Sequence, residues 1–353
     1  MRSVNADFAT PPGWRSGHLQ TVRSKFRPRH YDLPRLASRR DLLVDLDDGT
    51  GDRLRVRLLQ TRRTPDGLPR RGLVLLVHGL GGSADSDYVR ATAAGLLADG
   101  YNCALVDLRS AGLSGATTRH IYHAGKTDDL RCVLAELARQ PEARDNREAT
   151  ARLMVVGFSL GGAVTLKLLG EPLAGLPVVA GVAVSAPLDL VAGSTHLSGA
   201  MFGIYERYIL RALRRDSLRP APDGTERVSP SERSGIRKAR RLPDFDDVLT
   251  APRNGWRDAQ EYYTVNSCAR FLAHITVPTL VIHSLDDPMI PAAPYEAVDW
   301  AALEPRGVRH LITDKGGHVG FHERGSDSPW YVGRTVEFLD DVTAGTDSPS
   351  SSR

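Results

Sequence analysis

With 353 residues, 41% of them hydrophobic and 25% charged, the chain is long enough to bury a substantial core, as one large α/β domain or two of ordinary size. Its formal net charge of +4 is mildly basic and does not suffice to indicate a nucleic-acid partner. The three cysteines, Cys103, Cys132 and Cys268, lie far apart in no C-x-x-C arrangement, which argues against a disulfide framework or a zinc site and for small buried residues in a reducing compartment.

The first residues, Met1 to Asp7, have no apolar leader core, and no run reaches the ~18 apolar residues of a membrane span. The expectation is a cytoplasmic protein without stable membrane insertion. Residues 1–40, rich in Pro, Arg and His, read as an irregular arm on the main domain; they include Pro11-Pro12-Gly13-Trp14 and Gly17-His18-Leu19-Gln20-Thr21. Leu42–Leu46 and Leu54–Leu59, joined by an Asp47–Gly51 turn, form a hairpin of edge strands. A polar loop at 61–70 leads to Leu73–His78, whose unbroken apolar run suits a strand covered on both faces.

Strand and helix then alternate: helix 87–99, strand 103–107, helix 128–139, strand 152–157, helix 162–170 and strand 178–184, with two more strands at 279–283 and 308–312. This pattern predicts an α/β protein with a mostly parallel, doubly wound sheet, its core split into residues 41–186 and 267–342. Between them, 187–266 loses the strand rhythm and reads as a helical cap or lid over the carboxyl edge of the sheet, where ligands bind. Its basic run, Arg233 to Arg241, reads as solvated helix surface rather than as a site for phosphates or membrane headgroups. Residues 343–353 read as a disordered tail by composition.

The chemistry centres on Gly157-Phe158-Ser159-Leu160-Gly161, a G-x-S-x-G run between a strand and a helix. In that context the pattern forms a nucleophile elbow, with the serine at the top of a strained turn and glycines where a Cβ would clash. A serine hydroxyl needs an imidazole to take its proton and a carboxylate to orient that imidazole. The strand at 279–283 runs into Asp286 and Asp287, and the strand at 308–312 into Gly316-Gly317-His318. His318 is the candidate base, with His322 outside the turn. Asp287 is the favoured acid from its spacing to Ile290-Pro291, and Asp286 stays open. Oxyanion donors are assigned to the N–H of Leu160 and, in the glycine-rich loop after the first buried strand, of Leu80. His78 reads as structural. His123 and Asp128 match an H-x-x-x-x-D spacing, but capping of a helix by Thr127, with Asp128 and Asp129 in its first turn, accounts for the same residues.

Taken together, these motifs resemble the α/β-hydrolase fold superfamily and, within it, the AB hydrolase 4 family of YheT-like hydrolases. The resemblance runs from Gly17–Thr21 to Gly316–Phe321. It is most specific over Gly255, Glu261-Tyr262-Tyr263, Ser267, Ile275, Pro278, Leu280, Ile282 and Asp286-Asp287. Trp256 and the Ser110–Gly115 run depart from the family pattern. The resemblance implies a serine hydrolase of carboxylic esters with the triad Ser159, Asp287 and His318, a small-molecule or lipid-like ester as substrate, and neither metal nor organic cofactor. An acyltransferase or thioesterase using the same residues, or a non-catalytic binding protein on this fold, are the alternatives.

Overall fold

Strands that are apolar at nearly every position must be covered on both faces, and four of them make the centre of the sheet in the computed structural model, which describes residues 8–62, 71–143 and 151–345. The eight strands are β1 (Ala37–Asp45), β2 (Arg53–Thr61), β3 (Leu73–Val77), β4 (Asn102–Val106), β5 (Leu153–Phe158), β6 (Val178–Val184), β7 (Thr279–Ser284) and β8 (Val308–Thr313). They lie in the order β1-β2-β4-β3-β5-β6-β7-β8. Only β2 runs against its neighbours; every other pairing is parallel. The sequence therefore winds outward from β3 in both directions, which puts the topological switch beside β3 and β5.

The two-residue period of the strands feeds two hydrophobic layers. Val74 and Leu76 of β3, with Met154, Val156 and Phe158 of β5, pack against helices Asp87–Ala98 and Trp330–Gly345. Leu73, Leu75 and Val77, with Leu153 and Val155, pack on the opposite side against helices Thr127–Arg139 and Leu160–Gly170. Between β6 and β7 the chain forms only helices, the longer ones being Leu190–Gly199, Ile204–Leu218, Pro230–Lys238 and Ala259–Asn266. These share an apolar cluster of their own, built on Leu197, Ile209, Leu213, Ile236, Phe245 and Leu249. In the basic run Arg233 pairs with Glu226, and Arg237, Lys238, Arg240 and Arg241 face solvent.

Three sequence expectations are corrected. The arm at 1–40 is not irregular throughout, because Gly17–Phe26 is helical and β1 begins at Ala37. That helix has a weak apolar stripe, and its buried residues are held by tertiary contacts that local sequence does not encode. The tail expected from 343 starts later, since Thr343 bonds the Leu339 carbonyl at 2.9 Å inside the last helix. Thr127 is not a cap: Lys126 occupies that position, and the Thr127 hydroxyl donates to Glu171 instead. Asp128 and Asp129 do lie in the first turn of that helix, and Asp129 also accepts from Arg109. Residues 1–7 of the arm, 63–70 of the polar loop and 346–353 of the tail lie outside the described residues.

Arg109, 1% exposed, ties three elements together after β4. It donates to Asp129 at 2.7 and 2.8 Å, to Asp52 at 2.8 Å and to Asp48 at 2.5 Å. Both hairpin carboxylates are held low against their burial: Asp48 is drawn down to about 2 by Thr50 and Arg109, and Asp52 is drawn down by His120, the Arg119 and His120 N–H groups and Arg109. Removing the cation strands buried carboxylates. Arg109→Met is expected to lower unfolding free energy by about 3–5 kcal/mol in urea titrations.

Candidate active site

Ser159 leaves the end of β5 with φ 51° and ψ −123°, a backbone state that costs a non-glycine residue about 1–3 kcal/mol. The surroundings impose it. A Cβ on Gly157 would overlap the Gly161 carbonyl and the Thr165 hydroxyl, and a Cβ on Gly161 would overlap the carbonyls of Val77 and His78. One on Gly79 would stand 2.9 Å from the Ser159 Cβ. The turn is thus pressed between the end of β3 and the first turn of helix Leu160–Gly170, with the hydroxyl directed away from the sheet.

The loops after β7 and β8 bring two side chains to that hydroxyl. Nδ1–H of His318 donates to Asp287 Oδ2 at 2.8 Å, and its Nε2 accepts from the Ser159 hydroxyl at 2.9 Å, in the tautomer this network requires. Asp287 Oδ1 is fixed by the N–H groups of Met289 at 2.8 Å and Ile290 at 3.0 Å. Burial acts to raise the Asp287 carboxyl, but the charge and hydrogen bond of His318, His283 and the Met289 N–H outweigh it and hold the group below the usual carboxylate range. Asp286 turns the other way, accepting from the Ser284 hydroxyl at 2.5 Å and from the Gly317 N–H at 2.9 Å. Of the two acids left open by the sequence, it is Asp287 that meets the imidazole.

Three other histidines weighed in the sequence stand apart from this line. His78 is buried, its Nδ1 against the Gly79 carbonyl and its Nε2 accepting from the Leu108 N–H. His322 contacts Ser24, and burial pushes its pKa down to about 3. His123 accepts from the Gly125 N–H at 3.0 Å and meets Asn254 at 3.1 Å, and burial likewise pushes it down to about 3.

Candidate anion donors remain near the serine. In the loop after β3, Gly79 N–H donates to Tyr88 at 3.0 Å, Gly81 N–H to Tyr122 at 2.6 Å and Gly82 N–H to the Gly79 carbonyl at 3.1 Å. Among the described residues this leaves the Leu80 N–H without an acceptor. The Leu160 N–H opens its helix and so has no intrahelical acceptor either. Leu80, Ser159 and Leu160 all border one cleft, whose empty space of about 770 Å³ includes its opening to solvent. Its walls are mostly apolar, among them Leu197, Ile209, Leu213 and Phe245 of the helical segment.

The alpha/beta hydrolase family model matches residues 74–328. YheT of Escherichia coli (strain K12), provisionally named an esterase, is 32% identical over 331 residues, which cover 90% of this chain and 88% of YheT. The chain belongs to the alpha/beta hydrolase family. A monoacylglycerol lipase of Saccharomyces cerevisiae is 27% identical over 76% of this chain and 58% of its own, so this hydrolase spans less than two thirds of that relative. Among solved structures, an esterase of Pyrococcus furiosus shares the fold with a TM-score of 0.54 and 18% identity over 88% of this chain and 94% of the other.

In this alpha/beta hydrolase the N-terminal helix Gly17–Phe26 is part of the site. The His318 N–H donates to the Thr21 hydroxyl at 2.8 Å, and Thr21 in turn donates to the Gly17 carbonyl at 2.7 Å. Gln20, fully buried, accepts from the His322 N–H at 2.7 Å and donates to the carbonyls of Trp14 at 2.7 Å and His322 at 3.2 Å. Backbones meet so closely that a Cβ on Gly17 would overlap the Asp286 carbonyl and one on Gly320 would stand 2.6 Å from that of Gln20. The Gly17–Thr21 run was visible in the sequence; its partners, 297 residues away and more, were not. Thr21→Val and Gln20→Ala are expected to lower kcat by about 10- to 100-fold on a small ester with KM little changed, since they loosen the histidine loop without touching the cleft.

At the far wall of the cleft, Asp246 receives the Tyr263 hydroxyl at 2.6 Å, and burial, only partly opposed by Thr250 and Tyr263, pushes its pKa up to about 6. A carboxyl raised in the folded state opposes folding increasingly as pH climbs from about 4 to about 6, and the penalty persists above that. Asp246→Asn, which still accepts from Tyr263, is expected to raise stability by about 1–3 kcal/mol near neutral pH and by little below about pH 4, as read from unfolding curves at both.

Proposed function

We propose that this protein is a serine hydrolase that cleaves carboxylic esters through an acyl-enzyme on Ser159. The reading is carried by one observation: the unbroken line Asp287–His318–Ser159, with contacts of 2.8 and 2.9 Å, ends at the foot of a largely apolar cleft. The esterase and lipase names of its relatives agree with it.

In this mechanism the ester carbonyl carbon sits over the Ser159 hydroxyl. His318 Nε2 takes the hydroxyl proton as the oxygen attacks, and Asp287 keeps the ring oriented and stabilises the imidazolium. The N–H groups of Leu80 and Leu160 receive the oxyanion. His318 then hands its proton to the departing alcohol. A water molecule, deprotonated by the same nitrogen, releases the acid and restores the serine. The helical segment between β6 and β7 acts as a cap whose Leu197, Ile209 and Leu213 side chains take the acyl chain, which favours medium or long aliphatic groups.

A fluorophosphonate probe is expected to label the wild-type protein and not Ser159→Ala; equal labelling would sink the nucleophile. Hydrolysis of p-nitrophenyl esters should fall by at least about 10³-fold in Ser159→Ala or His318→Ala and by about 10²–10⁴-fold in Asp287→Asn.

A further inference from the structure

Large apolar side chains exposed to solvent are few, and most of them are gathered in one place. Of the nine such residues among those described, Leu19, Phe26, Met201, Phe202, Ile204 and Tyr208 fall in just two segments, the N-terminal helix and the stretch from Ala200 to Leu218. These segments adjoin. Lys25 donates to the Tyr208 hydroxyl at 3.1 Å and lies 5.1 Å above its ring, while the His18 ring stacks on Tyr205.

The local backbone makes the exposure more telling. Met201 and Phe202 hold φ of 47° and 55°, unfavourable for bulky residues, in the connection between two helices. Arg207 fixes the turn by donating to the Phe202 carbonyl at 2.8 Å, yet Phe202 is left 91% exposed. Backbone strain that delivers an aromatic ring into water gains nothing within the free protein.

Charge on this face is predominantly positive, although the exposed Asp327 lies 4.0 Å from Arg29. From Phe8 to Tyr31 the sequence contains five Lys or Arg residues and no Asp or Glu. On helix Ile204–Leu218 the exposed positions include Ile204, Arg207, Tyr208, Arg211 and Arg215, while both acids, Glu206 and Asp216, are buried and hydrogen-bonded. Ile209 and Leu213, on the other side of the same helix, line the cleft above Ser159.

We propose that this face docks the protein peripherally on an anionic lipid surface. Phe26, Met201 and Phe202 enter the boundary between headgroups and acyl chains, and Arg27 and Arg211, with their neighbours, meet lipid phosphates. Exposed apolar tips set among cations suit a fluid anionic interface. Nucleic acid would call for cations at the centre rather than Met and Ile. Docking is independent of which bond the serine cleaves. If the ester reading holds, the helix that meets the lipid also walls the reaction cleft, so a lipid-like ester has a short path from the surface to Ser159.

The test is co-sedimentation of the full chain with extruded vesicles of phosphatidylcholine alone, or with about one third phosphatidylglycerol, at about 0.1 M and about 0.5 M salt. The wild type is expected to partition at least about tenfold more strongly to the mixed vesicles at low salt, and to lose most of that at high salt. Met201→Ser with Phe202→Ser should reduce partition about tenfold, and Arg27→Gln with Arg211→Gln should remove the salt-sensitive part, with thermal unfolding and hydrolysis of dissolved p-nitrophenyl butyrate unchanged. Wild-type protein that stays in the supernatant with mixed vesicles, or serine variants that bind as the wild type does, would overturn the proposal. So would a concentration-dependent dimer abolished by the same substitutions in a protein that ignores vesicles. Vesicle binding without ester hydrolysis would leave docking standing and remove the function proposed above; hydrolysis without binding does the reverse.

Discussion

The constraint on which this site rests is a steric one: three segments of backbone converge on Ser159 with no room for a side chain between them. Gly157 and Gly161 let the end of β5, the end of β3 and the first turn of the following helix touch, and the serine adopts its positive φ because no relaxed path connects strand to helix in that space. The strain is small beside the burial that holds it. β3 and β5 are wholly buried on both faces, so the turn cannot relax without pulling apart the middle of the sheet. A hydroxyl placed this way is aimed by the core itself.

The hydrogen-bonded line from Asp287 to Ser159 is organised by neighbours of a different kind. Asp287 and His318 sit on loops, where backbone freedom is greater, and each is held by hydrogen bonds to its own loop or to another element. Asp286, although one residue away, performs the complementary task of bracing Gly317 from beneath, with Ser284. Adjacent carboxylates thus divide the work: one faces the imidazole and the other faces the loop that carries it.

Much of this was legible from the chain. The alternation of apolar strands and helices predicts the sheet, because strands covered on two sides must be apolar on two sides. The elbow is legible because its glycines answer a local clash. The exclusion of Asp286 was not, since spacing to Ile290-Pro291 favours Asp287 without ruling out its neighbour, and it is the turn closed by Met289 and Ile290 that separates the two. Nor was the part played by the N-terminal helix, whose buried Gln20 bonds to residues far along the chain. Thr127 misled for a related reason: its sequence neighbourhood suits a cap, but Glu171 offers a partner that only tertiary structure supplies.

The seam between Thr21 and His318 also bears on how the molecule comes into being. Its two halves are 297 residues apart, so closing that loop costs entropy that the sheet, by giving them a common platform, reduces. A nascent chain still lacking its last two strands would own a finished elbow yet no aligned imidazole. The alignment of hydroxyl and imidazole thus waits on two stretches 297 residues apart finding each other.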